Sequence, residues 1–157
     1  RAAGLDPDDL TAGLKLQERL ECRAFAAGGG DYIAPAQTLR DFVEGTTGHT
    51  LPSSSYHRGL HAVDLSDVLG PLAPPLREAL KILATKMPGF VSHDAVAVGV
   101  ESRTSSPVRL VRDRDTLESK GLAGLYPCGE GAGYAGGIIS AALDGVHVAA
   151  ALRTRGR

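Results

Sequence analysis

The chain has 157 residues, of which 43% are hydrophobic and 22% charged, and its formal net charge is −1. This composition is typical of a globular domain large enough to form its own core, and without a basic excess or many aromatic side chains it disfavours nucleic-acid and anionic-membrane partners. No apolar run approaches the roughly 20 residues that a membrane-spanning helix needs, and two distant cysteines predict neither a disulfide framework nor a zinc site, which favours a cytoplasmic protein.

A helix is predicted near the start of the chain. Residues 6 to 9, Asp-Pro-Asp-Asp, combine a capping acid, a proline suited to the first turn and further acids favoured by the positive end of the helix dipole. The helix should continue to about Ala27 and end at the three glycines of residues 28–30.

An extended segment, a short helix and a loop follow. Residues 31–37 are expected to be extended, since a proline within them disfavours helix at the residue before it. Thr38 to Glu44 should form a short helix closed by Gly45. Residues 45–61 are rich in glycine, serine and threonine and predict a loop.

Two histidines in this loop raise the question of a metal site. His57 and His61 are four residues apart and could share a helix face as ligands. Gly59 lies between them and no third ligand is evident, so the sequence disfavours a metal. A plain solvated loop is one interpretation. The sequence favours another, a polar loop near the mouth of the active site whose side chains could meet substrate: Ser53, Ser54, Ser55, Tyr56 and His57.

Two more helices are predicted before the chain changes character. Residues 64–69 indicate a short helix, and Pro74 and Pro75 open a longer one. The longer helix carries a single apolar stripe, as an amphipathic helix with a core-facing side does. The stripe consists of Leu76, Leu80, Leu83, Ala84 and Met87.

Sequence typical of strands begins near residue 93. Residues 95–100, AVAVGV, are nearly all apolar and predict a strand buried on both faces. Residues 107–112 alternate in polarity and predict a second strand. The polar segment between them, residues 101–106, fits either a hydrophilic hairpin turn or a site placed directly after a buried strand.

The most informative stretch is residues 125–152. Leu125 to Cys128 is a short apolar run that predicts a central strand of the sheet containing residues 95–100, and a helix is expected from about Gly137. Between them lie Gly129, Gly131, Gly133, Gly136 and Gly137. Glycines permit positive φ and close approach of a ligand, and the helix N-terminus offers free amides and a positive dipole end. A phosphate or an electron-rich flavin edge would suit such a turn.

Two other interpretations of this turn stay open. Gly131, Gly133 and Gly136 spell G-x-G-x-x-G, a weak signal by itself. The chain ends about 20 residues later, which leaves no room for the next strand and the ribose-binding acid of a dinucleotide-binding unit. The turn could also be a tight strand-to-helix connection without a ligand.

Residues 129–138, GEGAGYAGGI, resemble the C-terminal flavin-contacting segment of a bacterial family of uncharacterised FAD-dependent (NAD(FAD)-utilizing) dehydrogenases. That family belongs to the two-dinucleotide-binding flavoprotein superfamily. Residues 99–109 are similar to a second motif of the same family, in which threonine is common where Ser102 stands. Shorter similarities follow in family order at residues 34–37, 55–56 and 87–90.

The resemblance implies FAD as the cofactor, NAD(P)H as the electron donor and a small-molecule substrate. It implies that Glu130 holds the ribityl chain and that the next helix N-terminus faces the flavin N1/O2 edge. The cofactor-binding residues would be Gly129, Glu130, Gly131, Gly133, Tyr134, Gly136, Gly137 and Ile138. Arg103, Thr104 and Ser105 would line the flavin or substrate side. No catalytic residue is assigned.

The expected fold is a mixed α and β fragment. Residues 1–92 would form a mostly helical substrate-side region, and residues 93–157 would supply strands and a final helix that complete a Rossmann-like FAD-binding domain. Because the chain starts with Arg1 rather than Met, we expect an N-terminal dinucleotide-binding region of the same protein to be its partner. The alternatives are a non-enzymatic domain that binds an anion or nucleotide at the glycine turn, and a purely structural module.

Overall fold

A computed structural model describes residues 5–48 and 50–155. The fold is α+β, and the chain divides into two compact units. Of the described residues, unit 1 contains 5–6 and 16–102, and unit 2 contains 7–15 and 103–155.

Unit 1 is built on a mixed three-stranded sheet. The strands are β1 (Ala34–Thr38), β2 (Leu60–Ala62) and β3 (Val96–Val98), in the order β2-β1-β3. The central strand β1 runs parallel to β2 and antiparallel to β3, so that Ala36 lies opposite both Ala62 and Val98. Every residue of β1 is buried, as expected for a strand with a neighbour on each side.

Five α-helices complete the described fold. They are α1 (Ala12–Ala27), α2 (Leu39–Glu44), α3 (Leu65–Leu69), α4 (Ala73–Lys86) and α5 (Ile138–Arg155), with a 3₁₀ turn at Gly70–Leu72. The predicted end of α1 at Ala27 is confirmed, and so is the end of α2 at Glu44, which Gly45 closes with φ +72°. Helix α2 begins one residue later than predicted, at Leu39, because Thr38 is extended and caps the helix. Asp64 caps α3 as its side chain accepts a hydrogen bond from the amide of Ser66 at 2.8 Å.

The core of unit 1 lies between the sheet and the helices. Its buried residues are Ala24, Phe42, Leu65, Val68 and Ala73. The fully buried side chain of Gln37 donates to the carbonyl of Thr46 at 2.7 Å and accepts from the amide of Leu65 at 3.0 Å. The amide thus has partners for both of its polar ends, which removes most of the penalty for burying it.

Two predicted strands are wrong. Leu125 to Cys128 is irregular, because its carbonyls bond to a loop amide and a side chain rather than to a strand: Leu125 accepts from Ser119, and Pro127 accepts from Arg112. Proline also cannot donate to a ladder. Residues 107–112 form a single isolated bridge, from Arg112 to Ser119, instead of a strand.

Three smaller predictions are also corrected. The strand predicted at residues 95–100 exists only at Val96–Val98, where it is an edge strand with Val98 42% exposed, so it is not buried on both faces. Residues 60 and 61, predicted as the end of a loop, belong to β2. Helix α1 begins at Ala12 rather than at residues 6–9, since Asp9 instead accepts a hydrogen bond from the amide of Thr11 in the preceding turn.

Within the described residues, no helix combines the length and the apolar character that crossing a membrane requires.

Candidate functional site

The glycine-rich turn of residues 129–137 lies in unit 2 and leads directly into α5. Gly129 and Gly133 have φ of +71° and +81°, a backbone conformation that residues with a Cβ rarely adopt. The amide of Gly133 donates to the carbonyl of Glu130 at 2.9 Å, and the amide of Tyr134 donates to that of Gly129 at 3.0 Å. The first half of the turn is therefore held by its own backbone.

The glycines differ in what an added side chain would meet. A Cβ on Gly133 would lie 2.6 Å from the carbonyl oxygen of Val108, so the chain itself requires glycine there. A Cβ on Gly131 would meet no described atom within 4 Å, and one on Gly136 would lie 3.4 Å from the Oγ of Ser105. Packing therefore explains Gly133, whereas Gly131 has open space beside it.

An ion pair anchors the start of the turn to α5. The carboxylate of Asp144 accepts from both terminal nitrogens of Arg112, at 2.6 and 2.9 Å, and from the amide of Gly129 at 2.9 Å. Arg112 also donates to the carbonyl of Pro127 at 2.7 Å. The two side chains are only 10% and 14% exposed. The hydrogen bond from Arg112 lowers the pKa of Asp144, and the same bond raises the pKa of Arg112.

Tyr134 connects the turn to the segment of residues 109–112. Its hydroxyl accepts from the amide of Arg112 at 3.1 Å and donates to the carbonyl of Leu110 at 3.0 Å. The guanidinium carbon of Arg112 lies 3.7 Å from the ring centroid, and that of Arg109 lies 5.0 Å from it. Both distances are within the range of cation–π attraction.

A polar pocket of about 350 Å³ opens beside the turn, entirely within unit 2. It is lined by Ser105, Ser106, Arg109, Gly133, Tyr134, Ala135 and Gly136. The pocket brings together the two segments that the sequence singled out, the polar segment after residue 100 and the glycine turn. The lining contains hydroxyls and a guanidinium but no carboxylate.

The other predicted site residues have varied surroundings. Arg103 and Thr104 are exposed and do not line this pocket, in contrast to Ser105. Ile138, the first residue of α5, is 89% exposed. The carboxylate of Glu130 makes no hydrogen bond or ion pair with any described residue. The structure leaves the assignment of these residues to a cofactor as a prediction.

Sequence reasoning missed Arg109, Arg112 and Asp144. A signal for the ion pair was present, since Asp144 is the single acid in the otherwise apolar and basic sequence of α5. A lone carboxylate on such a helix indicates a specific partner, because an unpaired charge is costly to bury. Nothing in the sequence identified Arg112 as that partner, since the two residues are joined only by tertiary structure.

A second cavity, of about 280 Å³, lies within unit 1. Its lining is apolar apart from Glu101, and its floor includes the buried residues Phe42, Leu65 and Val68. His61, the middle residue of β2, approaches the carbonyl of Ala27 through its Nδ1 at 2.8 Å. Among the described residues, no three His, Cys, Asp or Glu side chains are grouped so that they could hold a metal ion.

Comparison with known proteins gives two matches. A family model described as "FAD-dependent protein, C-terminal domain-like" matches residues 3–104. An uncharacterized protein from Clostridium beijerinckii is 43% identical over 142 residues, which cover 87% of this chain and 26% of that relative. The chain thus spans about a quarter of the length of this relative. The family match coincides largely with unit 1 and ends before the glycine turn.

Proposed function

Because the chain belongs to the FAD-dependent proteins through their C-terminal domain-like region, we propose that it is the C-terminal portion of an FAD-dependent oxidoreductase. Its reaction would be a hydride transfer through the flavin, with NAD(P)H as electron donor and a small-molecule substrate. Residues 1–92 would form the substrate-side region, and residues 93–157 would complete a Rossmann-like FAD-binding domain. The assignment of NAD(P)H as donor and of dehydrogenase activity rests on the resemblance of residues 99–109 and 129–138 to motifs of the FAD-dependent dehydrogenase family.

The observation that carries this proposal is the meeting of the two motifs at one pocket. Ser105 and Gly136 both line the polar pocket, and a Cβ added to Gly136 would lie 3.4 Å from the Oγ of Ser105, although 31 positions separate their numbers in the chain. Open space beside Gly131 is what a turn approached by a planar cofactor needs. These two features support a flavin edge at this turn.

FAD, when bound, supplies the hydride chemistry, and the protein's part is to bind and tune it. Glu130 would accept a hydrogen bond from a ribityl hydroxyl, since its carboxylate has no described partner of its own. The amides around Gly136, Gly137 and Ile138 would stabilise negative charge at the flavin N1/O2 edge, because they stand at the positive end of α5. The Arg112–Asp144 ion pair would hold the turn in place while these groups bind.

The proposed partner of this chain is the remaining flavin-binding region of the same protein. Helix α5 exposes large apolar side chains, with Ile139 74%, Leu143 54% and Val146 63% accessible. These three residues follow one another at spacings of four and three, so they form one stripe on the helix. A stripe of this kind is usually covered by another part of the protein.

A non-enzymatic domain that binds an anion or a nucleotide at the glycine turn is the second candidate. The positively charged, carboxylate-free lining of the polar pocket favours it as well. It differs from the first candidate in requiring neither bound flavin nor reaction with NAD(P)H.

One experiment separates the two candidates. The full-length protein that contains this chain is purified, its visible spectrum recorded, and the oxidation of NADH and NADPH followed at 340 nm with an artificial electron acceptor. The oxidoreductase predicts stoichiometric FAD and turnover of at least one of the two nucleotides. Full-length protein without flavin that still binds a nucleotide would contradict it and support the second candidate.

A further inference from the structure

Two arginines contact the ring of Tyr134, and they differ in electrostatic surroundings. Arg112 is neutralised by the carboxylate of Asp144, with which it makes two hydrogen bonds. Arg109 has no carboxylate of the described residues within ion-pair distance. Its positive charge is therefore uncompensated within the part of the chain that the structure describes.

The guanidinium of Arg109 is nevertheless held in one place. Its Nε donates to the carbonyl of Gly133 at 2.8 Å, and its carbon lies 5.0 Å from the centroid of the Tyr134 ring. The two terminal nitrogens make no hydrogen bond with described residues. Those nitrogens form the fork that binds carboxylates and phosphates in bidentate fashion. An arginine fixed through Nε and the ring has lost part of its rotamer freedom before any ligand arrives, which lowers the entropic cost of binding.

The surroundings of Arg109 favour an anion over a cation or an apolar group. The pocket of about 350 Å³ that it lines also contains the hydroxyls of Ser105 and Ser106 and no acid. Its volume is within the range of small-molecule sites. The Ser106 hydroxyl is bonded to the carbonyl of Val108 at 2.8 Å, so that the side chain is fixed at the pocket wall.

We propose that Arg109 binds the anionic group of the protein's small-molecule ligand, so that the substrate is a carboxylate- or phosphate-bearing compound. The assignment of that compound to a flavoenzyme rests on the proposed function, whereas the anion site itself rests on the pocket and on Arg109. The ligand's anion forms two parallel hydrogen bonds with the terminal nitrogens of Arg109, beside Gly136 of the glycine turn. Arg112 and Asp144 do not bind the ligand's anion in this proposal, because their opposite charges already neutralise each other in the ion pair.

The test is a calorimetric titration of the full-length protein with three probes of similar size. Benzoate and phenyl phosphate carry the two candidate anions, and benzamide is the neutral isostere. The proposal predicts that at least one anion binds roughly 10- to 100-fold more tightly than benzamide, the range expected when a charged hydrogen-bonding group is lost. Preference for benzoate identifies a carboxylic acid as the ligand class, and preference for phenyl phosphate identifies a phosphorylated one.

Substitutions then assign the preference to one residue. Arg109→Met should abolish it, and Arg109→Lys should retain only part of it, because lysine keeps the charge but lacks the fork. Arg114→Met is the matched control, since Arg114 is an exposed arginine of the same unit that does not line the pocket, and it should bind the probes as the wild type does. A melting curve of each variant establishes that it is folded.

Two results would overturn the proposal. The first is a wild-type protein that binds the anions no better than benzamide. The second is an Arg109→Met variant that keeps the preference. If that variant also loses FAD, Arg109 serves the flavin itself. The flavin spectrum of the same preparation reports on the proposed function separately, since anion preference without bound FAD contradicts that function and leaves the anion site standing.

Discussion

Asp144 accepts three hydrogen bonds, two from Arg112 and one from the amide of Gly129. Asp144→Asn keeps the size of the side chain but removes the negative charge to which the guanidinium of Arg112 and the amide of Gly129 bind. We expect the free energy of unfolding of the full-length protein to fall by about 1.5–3 kcal/mol, the range for hydrogen bonds to a charged group. Urea denaturation at pH 7 measures this loss. Asp115→Asn, at an exposed acid of the same unit, should change stability by less than about 0.5 kcal/mol.

The same carboxylate gives stability a pH dependence. The pKa of Asp144 is lowered in the folded protein by the hydrogen bond from Arg112, so the unfolded chain takes up this proton at a higher pH than the folded one. The stabilisation is therefore complete above the unfolded pKa of about 3.9 and is lost as the pH falls through the lower folded value. Unfolding curves from pH 7 to pH 3 should show a smaller decrease for Asp144→Asn than for the wild type. Equal decreases would contradict the role of the ion pair.

Gly133 and Gly131 form a matched pair for substitution. Gly133→Ala places a Cβ 2.6 Å from the carbonyl oxygen of Val108 at a φ of +81°, and positive φ alone costs roughly 1–2 kcal/mol. We expect a loss of stability larger than that strain. Gly131→Ala meets no described atom and has no positive φ, so its stability should change by less than about 1 kcal/mol. Thermal denaturation of both variants decides the matter, and equal melting temperatures would refute the described conformation of the turn.

Glu130→Ala tests the proposed flavin contact. The carboxylate has no described partner, so its removal should leave the melting temperature of the FAD-free protein unchanged. The dissociation constant for FAD should rise roughly 10- to 150-fold, because a lost hydrogen bond to a charged acceptor is worth about 1.5–3 kcal/mol. Fluorescence titration of the full-length apoprotein with FAD measures this change. An unaltered dissociation constant would remove Glu130 from the cofactor site.

Among individual residues, the sequence predicted those whose role is local. Gly45 was identified as the end of a helix because a helix end commonly needs a residue of positive φ close by in the chain. Gly133 was selected as a ligand-facing glycine, but a Cβ there would clash with the carbonyl oxygen of Val108, which no local pattern indicates. Arg109 was overlooked for the same reason, since its position beside the turn depends on tertiary contacts.

At the level of elements, α5 provides the clearest test of the proposed partner. If its apolar stripe is covered by the rest of the flavin-binding region, Leu143→Ser should destabilise the full-length protein by about 1.5–3 kcal/mol, the value of burying a leucine side chain. Leu122→Ser, at a leucine of the same unit that is 62% exposed outside any helix, is the control and should be nearly neutral. Chemical denaturation of the two variants distinguishes them. Similar small effects would mean that the stripe faces solvent in the complete protein.

Helices were predicted better than strands in this chain. Helical hydrogen bonds join residues four apart, so their periodicity and caps are visible locally. A strand exists only where a partner lies beside it, and the partners of Leu125 and Pro127 turned out to be a loop amide and a guanidinium. The short strand β2 was missed because its sequence, Leu-His-Ala, is paired by its position next to β1 rather than by its composition.

For the whole molecule, the chain by itself should not retain FAD. The region that would contact the adenine half is proposed to lie elsewhere in the protein, and this chain spans about a quarter of the length of the relative it matches. The chain is expressed alone, purified without added cofactor and examined for absorbance near 450 nm. We expect no stoichiometric flavin signal, whereas the full-length protein prepared in parallel should be yellow. A yellow isolated chain would show that these residues suffice for binding.

The central position of β1 in the sheet leaves one of its edges unpaired for part of the chain's synthesis. Its neighbour β2 follows it closely in the chain, but its other neighbour, β3, is made only after α2, α3 and α4. Until Val96–Val98 emerges, one edge of β1 has unpaired amides and carbonyls, which is the feature that recruits foreign strands. A polypeptide that ends within α4 would therefore expose an unpaired edge of β1. The helices made after β1 would be the elements that could cover this edge.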